Sequence, residues 1–268
     1  MAQTANENRQ DYLEKIKPYQ EEIARIQDKE KDILSHLSAF SEEAALQKLA
    51  LADEMFNLTS CYMLENKIYQ SIFNKQSEDM LNVSRKSLFK GIVYMEDIVT
   101  NLIDAPYSDY EDRVYALSGA GAEKVYSLVR KMGFTIDLLA DEYGGDTSKW
   151  KWTFVDLEGR CAAVAKNVLD LRNILVNLDP RAPDYELTAL YTRLVKKLLT
   201  QAAERFREKY EISSQRREDF LRGIDFLNAL KRIHIILDER KEAEELKKTA
   251  EVWFQKLNKD MIKKKGAS

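Results

Sequence analysis

The sequence predicts an all-α protein of about seven long helices, an elongated coiled-coil arm joined to a helical bundle. Three observations predict it. Glycine (9) and proline (4) are scarce for 268 residues, where average usage gives roughly 19 and 13, and sheets and tight hairpins draw on those residues at their turns. Apolar residues recur at alternating spacings of four and three along most of the chain, which is the period of a helix with one buried stripe. The charged stretch from Asp238 to Lys248, where no seam is visible, is still made mostly of Glu, Lys, Ala and Leu, all strong helix formers.

The first segment carries the clearest seam: Tyr12, Ile16, Tyr19, Ile23, Ile26, Glu30, Ile33, Leu37 and Phe40. It has one polar interruption, at Glu30, and Pro18 is expected to start or kink its helix. Its flanks are so charged that it suits an arm lying against another long helix, with the segment 214–265 as the expected cover. Ser41 before Glu42-Glu43 reads as an N-cap with acids against the dipole. The next helix, about 42–75, is apolar on more than one side, through Leu51, Met55, Leu58 and Tyr62 and also Leu49, Phe56 and Met63. Ser77 restarts the chain, and Leu81, Arg85, Leu88, Ile92, Met95, Val99 and Leu102 form a third seam.

Ala105-Pro106 marks a loop, and Ser108 with Glu111 matches a capping box. A fourth helix is expected to reach Tyr143, weakened near Gly119 and Gly121. A fifth has the longest seam, from Trp150 through Phe154, Leu157, Cys161, Val164, Val168, Leu171 and Leu175 to Leu178. Pro180 and Pro183 forbid a continuous helix beyond it. A sixth carries Leu187, Tyr191, Leu194, Leu198, Ala202 and Phe206. After Ser213-Ser214 no breaker appears before Gly266, so 214–265 reads as one long helix with a solvated charged stretch from Asp238 to Lys248. The expected domains are an arm and hairpin over 1–105, a bundle over 106–213, and the C-terminal helix packing back on the arm.

Composition narrows the function. With 44% hydrophobic and 32% charged residues the chain is not disordered. Forty-two basic residues stand against 45 acidic ones, a net charge of −3, and the only basic cluster is Lys263-Lys264-Lys265, so no nucleic-acid partner is expected. No stretch approaches the roughly 20 apolar residues of a membrane span. The first thirty residues are polar and carry no signal peptide. That reads as cytoplasmic, or as a start codon placed before the processed secreted chain that Ala2-Gln3 would begin.

No constellation carries catalysis, and neither cofactor nor metal is expected. Carboxylate-bridged metal sites in helical bundles need Glu-x-x-His pairs; the two histidines, His36 and His234, have none. Asp32 lies four before His36 and Asp238 four after His234, the spacing of helical ion pairs. Cys61 and Cys161 sit at apolar helical positions, where a free thiol packs as a small hydrophobe. Ser118 to Lys124 lacks the order of a phosphate-binding loop. The candidate partner interface is Lys149-Trp150-Lys151-Trp152: Trp150 belongs to the seam, whereas Trp152 is off it and, at a helix start beside Lys149 and Lys151, is placed to anchor a protein surface.

Taken together, the seam from Tyr12 to Phe40, the unbroken segment from Ser214 to Lys265, the helices between them and the Ala2-Gln3 start give a layout that resembles the periplasmic flagellar coiling or sheath proteins of spirochaetes. The likeness is to the layout of the whole chain, and no residue role is carried over. It implies an elongated, non-enzymatic structural protein that coats the flagellar filament, binds sister sheath proteins or itself, and lies in the periplasm. The alternative is a cytoplasmic all-helical adaptor or regulator that binds a partner protein.

Overall fold

In the computed structural model residues 2–37 and 41–266 are described, with side chains from 6 to 263. Phe40, Met1 and the side chains of Lys264 and Lys265 lie outside the described residues. Those residues form ten α-helices and no strand. They are α1 (Ala2–His36), α2 (Glu42–Phe73), α3 (Glu78–Ile98), α4 (Glu111–Tyr115), α5 (Ala122–Glu142), α6 (Lys151–Asn167), α7 (Ile174–Asn177), α8 (Tyr185–Lys209), α9 (Arg217–Ile236) and α10 (Arg240–Gly266).

The chain divides into two compact units, neither continuous in sequence: 1–98 with 116–151, and 99–115 with 152–268. This replaces the three consecutive domains expected over 1–105, 106–213 and 214–265. The segment 99–115 belongs to the second unit although both its ends lead into the first.

In the first unit the predicted seam of α1 is its buried stripe. Ile16, Ile23 and Ile26 are buried and Tyr12, Tyr19, Glu30 and Ile33 half-buried, while the residues between them face solvent. The cover is α2. The expected cover, 214–265, packs within the second unit instead. Pro18 lies inside α1 and does not start it. It is exposed, and so sits on the side away from the stripe. Glu30, the polar interruption, accepts hydrogen bonds from the Tyr94 hydroxyl and the Lys90 ammonium of α3, each at 2.5 Å.

Helix α2 packs on α1, α3 and α5, which its several apolar faces require. Ser41 caps it, accepting from the Ala44 amide at 3.1 Å. Asn74 closes it in the left-handed conformation, φ 54°. Ser77 caps α3 through the Met80 amide. Gly91 lets α3 approach closely, because a Cβ there would meet the Phe56 ring at 2.6 Å.

Three expected helices end early. The fourth is broken, not merely kinked: α4 is five residues long, and Gly121 at φ 82° starts α5 afresh. The capping-box reading fails with it, since the Ser108 hydroxyl donates to its neighbour Asp109. The fifth stops at Asn167, short of the predicted Leu178, because every residue from Cys161 to Leu169 is buried and Asp170 then takes the Arg172 and Asn173 amides on its carboxylate. Leu175, placed on the seam, is exposed on α7.

The segment 214–265 is two helices, not one. Asp238 turns the chain at φ 55°, and the Glu239 carboxylate is held by Lys196 and by His234, 2.6 Å from the imidazole. Only Asp238 and Glu239 of the charged stretch form the turn that lets α10 pack on α9; from Arg240 to Lys248 the stretch is helical and mostly exposed, as expected. His234 pairs with Glu239 and not with Asp238. Ser213 and Ser214 finish a π-helical turn, Tyr210–Ser214, that follows α8; the N-cap of α9 is Arg216, whose amide donates to the Ser214 hydroxyl at 3.2 Å.

Candidate functional site

The Lys149–Trp152 stretch lies at the junction of α5 and α6. Gly144 and Gly145, both at positive φ (94° and 58°), supply the reversal. The Ser148 hydroxyl then accepts from the Trp150 amide at 3.1 Å and launches α6. Trp150 is half-buried: Tyr143 meets it edge-on with ring centroids 5.5 Å apart, and the Arg85 guanidinium lies 4.9 Å from its centroid. Lys149 is exposed, its ammonium 5.8 Å from the same ring. Lys151 is mostly covered and reaches Asp146 at 3.9 Å. Trp152 is half-buried like Trp150, so heptad register does not separate the two in burial. The division between the units falls between Lys151 and Trp152. Of the three residues singled out, only Lys149 stands out in solvent.

Catalytic chemistry would need an activated group in a reachable place. Among the described residues no cluster of three or more His, Cys, Asp or Glu side chains could hold a metal ion. Both cysteines are buried and neither is in a disulfide, and burial pushes the Cys61 thiol up, away from the reactive thiolate. His36 is an exposed residue on α1 within 3.7 Å of Asp32.

The most perturbed group was not visible to the seam reading. Lys166 on α6 is 4% exposed. Its ammonium donates to the Ile103 carbonyl at 3.2 Å and lies 5.3 Å from the centroid of the Tyr110 ring. Burial first, and then the Arg232 cation, bring its pKa down to about 8, with Asp104 opposing. Arg232 donates to the same carbonyl at 3.1 Å. Next to Lys166, Asn167 donates to the carbonyls of Thr100 (2.7 Å) and Leu102 (3.1 Å). The Tyr110 hydroxyl and the Asn167 carboxamide oxygen are buried with no hydrogen-bond partner.

Perturbed groups of this kind accompany active sites. Here the lysine is committed to a backbone carbonyl, and the cluster as a whole grips residues 99–115. Arg113 on Val99, Tyr107 on Asp170 and Arg172 on Glu111 complete the grip. One signal in the sequence could have found Lys166: it is the only charged residue in the nine from Cys161 to Leu169.

The outer faces of several helices also carry large apolar side chains. Phe134 on α5 is 64% exposed and Leu138, one turn on, 37%. They lie off the row Val125, Val129, Met132 and Ile136 with which α5 packs on α2 and α3.

The model of the TP0443 family matches residues 8–261. That family bears a Treponema name, which fits a spirochaete protein. No curated protein and no solved structure matches the chain.

Proposed function

The chain belongs to the TP0443 family, and we propose that it is a non-enzymatic structural or assembly protein that works by presenting helical faces to other proteins. The observation that carries this reading is α5. One side of that helix is buried against α2 and α3, and the other holds Phe134 and Leu138 in solvent. Exposed aromatic and aliphatic side chains one turn apart, on a helix already anchored by its opposite side, are what a partner surface uses. Lys149, the exposed member of the Lys149–Trp152 stretch that follows α5, adds a cation within the same unit. Burial of both cysteines and the commitment of Lys166 to the Ile103 carbonyl support a non-enzymatic role.

The finer reading is a component of the periplasmic flagellar filament sheath of a spirochaete. The family's Treponema name supports a spirochaete host. Cell fractionation together with co-sedimentation of the protein on purified flagellar filaments tests it. Recovery in the periplasmic fraction and on filaments is expected. Recovery in the cytoplasm with no filament binding would discard the sheath and leave the adaptor.

A further inference from the structure

In the second unit α10 runs back along α9. Trp253 stacks on Phe220 with centroids 5.8 Å apart, and the Tyr210 hydroxyl donates to Asp260 at 3.2 Å. Residues 210–220 and 253–263 therefore share one end of that helix pair, and we propose that this end docks on an anionic membrane surface, a role that does not depend on the assembly reading above.

Two features meet there. The first is apolar: Ile212, in the π-helical turn, and Ile262, near the end of α10, are each 70% exposed. The turn is built to protrude. A π-helical turn inserts extra backbone, and Gln215 after it is held at φ 48°, where a side chain is disfavoured. The second feature is charge. Arg216, Arg217, Lys259 and Lys263 are all exposed, and none makes an ion pair among the described residues. The sequence continues with Lys264-Lys265. The acids of this end are already engaged: Glu211 by Lys256 and Arg207, Asp219 by Lys209, and Asp260 by Tyr210. Only Glu218 remains exposed without such a partner. A chain whose net charge is −3 thus carries, at the end that bears two exposed isoleucines, four cations with no ion-pair partner among the described residues.

Solvated lysines and arginines are the ordinary content of a helix surface, and alone they would mean nothing. Cations that share one end of a helix pair with exposed aliphatic side chains meet both requirements of interfacial binding, attraction to anionic headgroups and insertion below them. An acidic protein is the rival occupant. The lipid surface is favoured because Ile212 and Ile262 stand singly on different elements. A fluid surface takes such side chains without a matching pocket, whereas a protein partner rewards clustered anchors.

Sedimentation of the full chain with vesicles tests the assignment. Binding is expected to phosphatidylcholine vesicles that contain phosphatidylglycerol, not to phosphatidylcholine alone, and to disappear at high salt. Each basic residue at such a surface multiplies affinity by about fivefold. The variant Arg216→Gln, Arg217→Gln, Lys259→Gln, Lys263→Gln should therefore bind at least about a hundredfold more weakly. Ile212→Ser should weaken binding severalfold with the charge unchanged. All five positions are exposed, and thermal melts matching the parent protein would confirm that the variants fold. No binding to the anionic vesicles, equal binding to both lipids, or undiminished binding by the fourfold variant would each overturn the assignment. Loss on vesicles with charge-dependent retention on immobilised polyglutamate would give the site to an acidic protein instead.

Discussion

Helices α1 and α6 were read from the same four-three pattern, and the structure treats them in opposite ways. On α1 the apolar row is a narrow stripe with solvent on both sides, so the seam runs unbroken to Leu37. Its polar member, Glu30, sits at the edge of the stripe and is reached by Lys90 and Tyr94 from α3. On α6 the row is one face of a helix buried all round from Cys161 onward. Lys166 and Asn167 have no edge to reach, and they turn to the backbone carbonyls of Thr100, Leu102 and Ile103. A polar residue in a stripe helix is met by side chains of a neighbouring helix. In an enclosed helix it commits a loop, because buried donors must be satisfied.

That contrast can be broken by substitution. Ile26→Ala removes a fully buried side chain from the middle of the α1 stripe and should cost about 3 kcal/mol in chemical denaturation. A cost below about 1 kcal/mol would mean that the stripe collapses without it. Asn167→Ala removes a buried donor from the Thr100 and Leu102 carbonyls and should cost about 1–2 kcal/mol. Amide exchange should accelerate across 99–115 in that variant, and unchanged exchange there would show that the loop holds itself.

The charge on Lys166 sharpens the comparison. Its pKa is about 8 in the folded chain, against 10.5 for an ordinary lysine. Between those values the unfolded chain binds more protons than the folded one, so stability should rise with pH. From pH 8 toward pH 10 the gain is on the order of 1–2 kcal/mol. Above about pH 10 the buried tyrosines reverse the trend, because Tyr107, pushed up to about 12, keeps its proton when folded and loses it when unfolded. Denaturation curves at two pH values within the rising window check this, and Lys166→Met should abolish the rise. The smallest effect belongs to α1. Glu30→Gln should cost less than about 1 kcal/mol, since Lys90 is half in water.

Most of what periodicity could carry was legible: the helical class, the α1 stripe, the Ser41 and Ser77 caps and the several-sided burial of α2. What escaped was set by tertiary surroundings. No glycine or proline marks the end of α6 at Asn167; a turn held by the Asp170 carboxylate on the Arg172 and Asn173 amides follows it, and heptad spacing continues past that point regardless. The turn at Asp238 was hidden in charged residues that are also good helix formers, and a left-handed aspartate leaves no compositional trace. The Trp150–Trp152 contrast rested on register alone, whereas the burial of each depends on the Gly144-Gly145 reversal before them. Lys166 was passed over as one lysine among many, although the apolar run around it was in plain view.

The outward side of α5 bears the weight of the functional account. Flagellar filaments from a host strain that lacks this protein can be mixed with the purified chain and with Phe134→Glu, Leu138→Glu, and then sedimented. The account predicts that the parent chain pellets with filaments and that the double variant binds at least about tenfold more weakly while melting at the same temperature. Equal sedimentation of the two, or a parent chain that stays in the supernatant, would contradict it.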